Sequence, residues 1–92
     1  MLDVLKIRED FPMLKKTMHG KPLIYLDNGA TTLKPQCVID SVCDYLTNYS
    51  GNAHRGDYDL SHEVDTKFEY VRSIVADFIH CKPEEVVYTY GS

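Results

Sequence analysis

The run from Ser61 to Tyr90 restricts this chain most: a long amphipathic helix pattern, a proline stop and a β-rich stretch ending on Gly91-Ser92. Val64, Phe68, Val71, Val75 and Phe78 recur at four, three, four and three, the spacing of one helix face. Ser61 reads as the N-cap, with Glu63 and Asp65 near the positive end of the dipole. Lys82-Pro83 ends the pattern, and Glu85-Val86-Val87-Tyr88-Thr89-Tyr90 reads as a strand entering a tight turn. A helix that feeds a strand and then Gly-Ser is how an α/β layer begins. A lone strand leaves its backbone N–H and C=O groups unpaired. The expectation is a fragment of an α/β parent fold, itself mostly helical with two short strands and without an internal domain boundary. The competing arrangement is a small α+β domain that pairs Leu23–Leu26 with Val86–Tyr90 or with a second copy.

Upstream, Asp3 is a candidate N-cap for a short helix carrying Val4, Ile7, Phe11 and Leu14, interrupted by Pro12. His19-Gly20 signals a turn, and Leu23-Ile24-Tyr25-Leu26 suits a short buried strand. Pro35 fits the first turn of a helix, and Val38, Val42, Tyr45 and Tyr49 continue it for about four turns to Ser50-Gly51. Residues Gly51 to Leu60 have no periodicity and read as an ordered or functional loop.

At 92 residues the chain holds one core at most, and 43% hydrophobic with 26% charged residues is a globular composition. Its net charge is −4 with scattered basic residues, which argues against nucleic acid or an anionic membrane as partner. Cys37, Cys43 and Cys81 show no CxxC spacing, and no signal-like or membrane-spanning apolar run occurs. The expectation is a soluble, reduced, cytoplasmic protein.

Two segments carry candidate chemistry. Asp27-Asn28-Gly29-Ala30-Thr31-Thr32 is a small-residue turn that exposes amides and hydroxyls, suited to an anionic ligand. It is equally an ordinary connection in which Asp27 and Asn28 bond their own backbone and Gly29 supplies an unusual φ. His54-Arg55-Gly56 could hold a carboxylate through the guanidinium fork, or be a solvated loop balanced by Asp57. His54, His62, His80 and Cys81 lack metal-ligand spacing, so no metal is expected. Cys37 and Cys43 read as small hydrophobes rather than nucleophiles.

In order, Phe11-Pro12, Tyr25-Leu26-Asp27-Asn28-Gly29-Ala30-Thr31-Thr32, Lys34-Pro35, Asn52-Ala53-His54-Arg55-Gly56, Leu60-Ser61 and Tyr88-Thr89-Tyr90-Gly91-Ser92 form a specific series. It resembles the amino-terminal part of Suf-type cysteine desulfurases, class V aminotransferases related to selenocysteine lyases, over nearly the whole chain. The resemblance implies the fold type I of pyridoxal-phosphate enzymes. It also implies removal of sulfur from L-cysteine, giving alanine and an enzyme persulfide for iron–sulfur cluster assembly, with a sulfur-acceptor protein and a homodimer as partners.

In such enzymes the cofactor lysine and the persulfide cysteine lie past the segment matched here. No residue of this chain takes either role, so the 92-residue chain alone is expected to be inactive and without bound cofactor. By resemblance, Gly29 and Ala30 line the substrate end of the pocket. His54 and Arg55 belong to a loop beside its entrance and the dimer contact, and Gly91 and Ser92 begin the turn that cradles the cofactor phosphate. The family usually has alanine where Gly29 stands, and often arginine where Tyr90 stands, which puts a charge pair from that position in doubt. A second expectation is a non-catalytic truncated module that pairs with or regulates a full-length desulfurase.

Overall fold

The computed structural model describes residues 1–53 and 56–90. The chain divides into two compact units, Met1–Leu46 and Thr47–Ser92.

The first unit opens with helix α1 (Val4–Glu9). Asp3 caps it as expected, its Oδ1 accepting from the Lys6 amide at 3.2 Å. Proline at the start of the next turn permits a tighter coil, and Pro12–Lys15 is a 3-10 helix. The His19-Gly20 signal produces a hairpin of β1 (Thr17–Met18) and β2 (Lys21–Pro22), antiparallel with Met18 opposite Lys21. Both turn residues have positive φ, 55° at His19 and 75° at Gly20, the geometry whose twist suits a two-residue hairpin.

The strand expected at Leu23–Leu26 is not formed: the run follows the hairpin without a ladder. A strand needs a partner edge, and local pairing ends at Pro22, apart from the Leu23 amide donating to Lys16 O at 3.3 Å. Leu23 instead turns inward, lining with Ile7, Phe11, Leu14, Tyr25 and Leu33 an apolar hollow of about 560 Å³.

Helix α2 (Gln36–Asp44) begins after Pro35 and continues as a π-helical stretch, Tyr45–Tyr49. Pro35 offers no side-chain cap, so part of the exposed helix start is met from elsewhere: the Gln36 amide donates to Asp10 O at 2.7 Å. This bond ties the leading segment to α2.

The second unit is built on α3 (Asp59–Ile79), of 21 residues. Ser61 is not its cap. The helix starts three residues earlier than that cap would place it, with Tyr58 at the N-cap, and Ser61 lies fully buried in the first turn. The helix ends before Pro83, because His80 takes the left-handed conformation (φ 59°, ψ 48°) and the Cys81 amide folds back to Ala76 O at 2.9 Å. Pro83–Glu85 forms a 3-10 turn in which Glu85 accepts from the Lys82 amide at 2.7 Å.

Val86 is extended (φ −92°, ψ 121°), yet the expected strand over Glu85–Tyr90 has no ladder. Among the described residues the only sheet is the β1–β2 hairpin. The mostly helical character with two short strands is therefore as expected, while both strands lie elsewhere than the sequence placed them. The apolar stripe of α3 is covered at one end only: Val64 is 8% exposed and Phe68 half-buried, whereas Phe78 is 84% exposed.

Candidate functional site

The first candidate element is the turn after Tyr25. Asp27 O accepts from the amides of Ala30 and Thr31, each at 3.1 Å, closing the chain around Asn28, Gly29 and Ala30. Asn28 O accepts from Thr32 Oγ1 at 3.2 Å, and Asn28 Oδ1 from the Leu33 amide at 3.4 Å. The Tyr25 hydroxyl donates to Thr31 O and bridges the turn. The connection is thus held by its own polar groups: Asn28 bonds the backbone through its side chain, as the simpler sequence reading describes, whereas Asp27 takes part through its carbonyl. Gly29 does not supply an unusual φ, since Gly20 is the glycine with a positive φ among the described residues.

Gly29 and Ala30 are exposed, while Asn28 and Thr32 on either side line the apolar hollow. A Cβ at Gly29 would meet nothing within 4 Å. Gly29→Ala is therefore expected to leave this turn intact and to stabilise by about 0.4–1 kcal/mol through a less flexible unfolded chain. A urea titration of the variant checks this.

The second element is the loop before α3. The Ser61 hydroxyl donates to Asn52 O, and the Asn52 amide donates to the Tyr58 hydroxyl at 3.0 Å. Two glycines make this closure possible. A Cβ on Gly51 would lie 3.0 Å from Leu60 O, and one on Gly56 would lie 2.6 Å from Ser61 Oγ and 2.7 Å from Ser61 Cβ. Asn52 and Tyr58 are thus clasped to the first turn of α3, and Asp57 Oδ1 lies 3.4 Å from His62 Nε2 at an exposed edge. Ser61→Ala is expected to cost about 1 kcal/mol. Faster amide exchange at Asn52 would report the loss.

His54 and Arg55, the site residues expected in this loop, lie outside the described residues, as do Gly91 and Ser92. Sequence reading missed the clasp partners Asn52, Tyr58 and buried Ser61. The available signal was the glycine at each end of a polar loop, next to a serine read as a cap. Lys67 Nζ sits 3.5 Å from the centre of the Tyr49 ring, an additional tie between the start of this unit and α3.

The third element is the run after α3. The Arg72 guanidinium donates through Nη1 to Val86 O and through Nε to Glu69 Oε2 at 2.9 Å. The Tyr88 hydroxyl donates to Phe68 O at 2.8 Å, and the two rings stack with centroids 3.9 Å apart. Val86 and Tyr88, in the run after α3, are therefore fastened to that helix by side chains.

Cys37 and Cys43 are exposed and Cys81 is half-buried, all three as free thiols. Among the described residues no group of three or more His, Cys, Asp or Glu is placed to hold a metal, and no helix is long and apolar enough to cross a membrane.

Residues 24–92 match the Aminotransferase class-V family, taking in all three elements. The chain is 41% identical, over its whole length, to a probable cysteine desulfurase of Vibrio cholerae, of which it covers 23%. It is 44% identical over 90% of its length to a probable cysteine desulfurase of Synechocystis, of which it covers 20%. An apo cysteine desulfurase structure from Thermococcus onnurineus superposes with a TM-score of 0.75 and 39% identity, covering 95% of this chain and 20% of that one. The chain therefore spans about a fifth of the length of these relatives.

Proposed function

We propose a function from one premise: this chain belongs to the Aminotransferase class-V family. It forms the amino-terminal segment of a pyridoxal-phosphate-dependent cysteine desulfurase. The observation that carries this reading is a likeness to curated desulfurases that runs the length of the chain, through the Asp27–Thr32 turn and the Asn52–Gly56 loop. The reaction is L-cysteine plus an enzyme thiol giving L-alanine plus an enzyme persulfide. The carbon–sulfur bond breaks, the sulfur atom passes to the thiol, and a proton takes its place on carbon.

The donor set fits the cofactor's phosphate in its chemistry: Gly91 brings a backbone N–H without a Cβ to obstruct it, and Ser92 an N–H and a hydroxyl. Both would hold the phosphate. When bound, the cofactor supplies an electron sink for the bonds broken at the substrate's carbons. Gly29 and Ala30 admit the amino acid close to the backbone, and Arg55 with His54 receives its carboxylate. Cys37, Cys43 and Cys81 match neither the persulfide thiol nor any other reacting group. The sulfur then passes to an acceptor protein for iron–sulfur cluster assembly in the cytoplasm, and the enzyme works as a homodimer.

The complete gene product, given L-cysteine, is expected to show cofactor absorbance and to release alanine in step with sulfide, while the 92-residue chain releases neither. A complete product that takes up no cofactor, or a 92-residue chain that turns over cysteine, would sink the reading. Within the active protein, Arg55→Ala is expected to raise KM for cysteine at least tenfold, the effect of losing one charged hydrogen bond. An unchanged KM would remove Arg55 from the substrate site.

A further inference from the structure

We propose that Tyr25 and Thr32 are positioning residues for the substrate end of the pocket: their hydroxyls hold the two carbonyls that bracket Gly29-Ala30. The inference rests on the reading of Gly29 and Ala30 as the residues that admit the amino acid. Its structural ground is a set of bonds independent of that reading. Thr32 Oγ1 donates to Asn28 O at 3.2 Å, just before the pair, and the Tyr25 hydroxyl donates to Thr31 O, just after it. The same Tyr25 oxygen lies 3.4 Å from Asp27 O, which accepts from the amides of Ala30 and Thr31 at 3.1 Å each. One phenol thus sits against both ends of the turn.

Gly29 has no side chain and Ala30 only a methyl group, so the fit of a ligand against them is set by where their backbone lies. No rotamer change can correct a displaced peptide there. The flanking carbonyls fix that backbone, and the two hydroxyls fix the carbonyls. Tyr25 has an anchor of its own as well: it is half-buried and lines the apolar hollow together with Ile7, Phe11 and Leu14. An apolar body with a polar tip lets this one residue join the apolar surface of the leading segment to the polar turn.

Phenylalanine keeps the ring and removes only the hydroxyl. In the complete protein Tyr25→Phe is expected to raise KM for cysteine about fivefold, the effect of one lost neutral hydrogen bond, with kcat and the affinity for pyridoxal phosphate each within about twofold of wild type. Thr32→Val removes the bond to Asn28 O in a side chain of the same shape and should act in the same way. Leu14→Ala is the control: it enlarges the hollow and lowers the urea midpoint but leaves both hydroxyls in place, so KM should stay near the wild-type value.

An unchanged KM in Tyr25→Phe, an equal rise in Leu14→Ala, or parallel losses of kcat and cofactor affinity would overturn the proposal and leave Tyr25 a stabiliser of the leading segment. If Tyr25→Phe does not fold, Thr32→Val carries the test, and a KM that it leaves unchanged would equally overturn the proposal. Gly29→Leu separates this inference from the reading beneath it. A Cβ at Gly29 meets nothing within 4 Å, so the turn itself accepts a larger side chain, whereas a cysteine bound against it does not. An unchanged KM in Gly29→Leu would bring down the substrate assignment of the turn and this inference with it. A steeply raised KM there, with Tyr25→Phe like wild type, would bring down this inference alone.

Discussion

Gly56→Val is expected to strip the Asn52–Tyr58 loop from the first turn of α3, at a cost of about 1–3 kcal/mol from overpacking. A side chain there would point its first carbon at Ser61 Oγ and Cβ, 2.6 and 2.7 Å away. Ser61 cannot yield by changing rotamer, because its Cβ is fixed by the helix backbone and the residue is fully buried. Relief therefore requires the loop to move, which breaks the Ser61–Asn52 bond and, with it, the seat of Tyr58 on the Asn52 amide. The expected signature is faster amide exchange over Asn52–Ser61 together with a lower urea midpoint. Unchanged exchange would mean that this closure does not hold the loop. On the proposed function, the same variant in the complete protein should also raise KM for cysteine, because His54 and Arg55 lie between Asn52 and Tyr58 in the sequence.

The second large effect concerns the isolated 92-residue chain. It is expected to self-associate or bind a hydrophobic dye, because the far end of α3 presents Ile74 at 50%, Phe78 at 84% and Ile79 at 57% exposure. Burying such a side chain fully stabilises by about 1.5–3 kcal/mol, so several on one helix make a strong drive to find cover. Ile74→Glu combined with Phe78→Glu should return the chain toward a monomer in sedimentation and lower dye binding. A wild-type chain that sediments as a monomer, binds no dye and melts cooperatively would show that the exposed face needs no cover.

Helix positions were legible because they depend on neighbours three or four residues away. The apolar spacing of α3, the cap at Asp3 and the hairpin turn at His19-Gly20 all follow from local rules, and all appear in the structure. The strands were misplaced because a strand is a property of two segments. Leu23–Leu26 and Glu85–Tyr90 have the composition of strands and no ladder, whereas Thr17–Met18 and Lys21–Pro22 gain theirs from the turn between them. Ser61 was misread for a related reason: a serine before an apolar stripe looks like a cap, and only the folded loop shows that its hydroxyl belongs to Asn52.

Helix spacing, turn chemistry and the ordered series of motifs that marks the family are written in residue types and short spacings, and are legible without coordinates. What those residues hold is settled by the folded chain. Arg72 reaches Val86 across 14 positions and Tyr88 reaches Phe68 across 20, and no short-range spacing encodes either contact. Such bonds arise when helix and extended segment are brought side by side. There the partner of a polar group is set by position in space rather than along the chain.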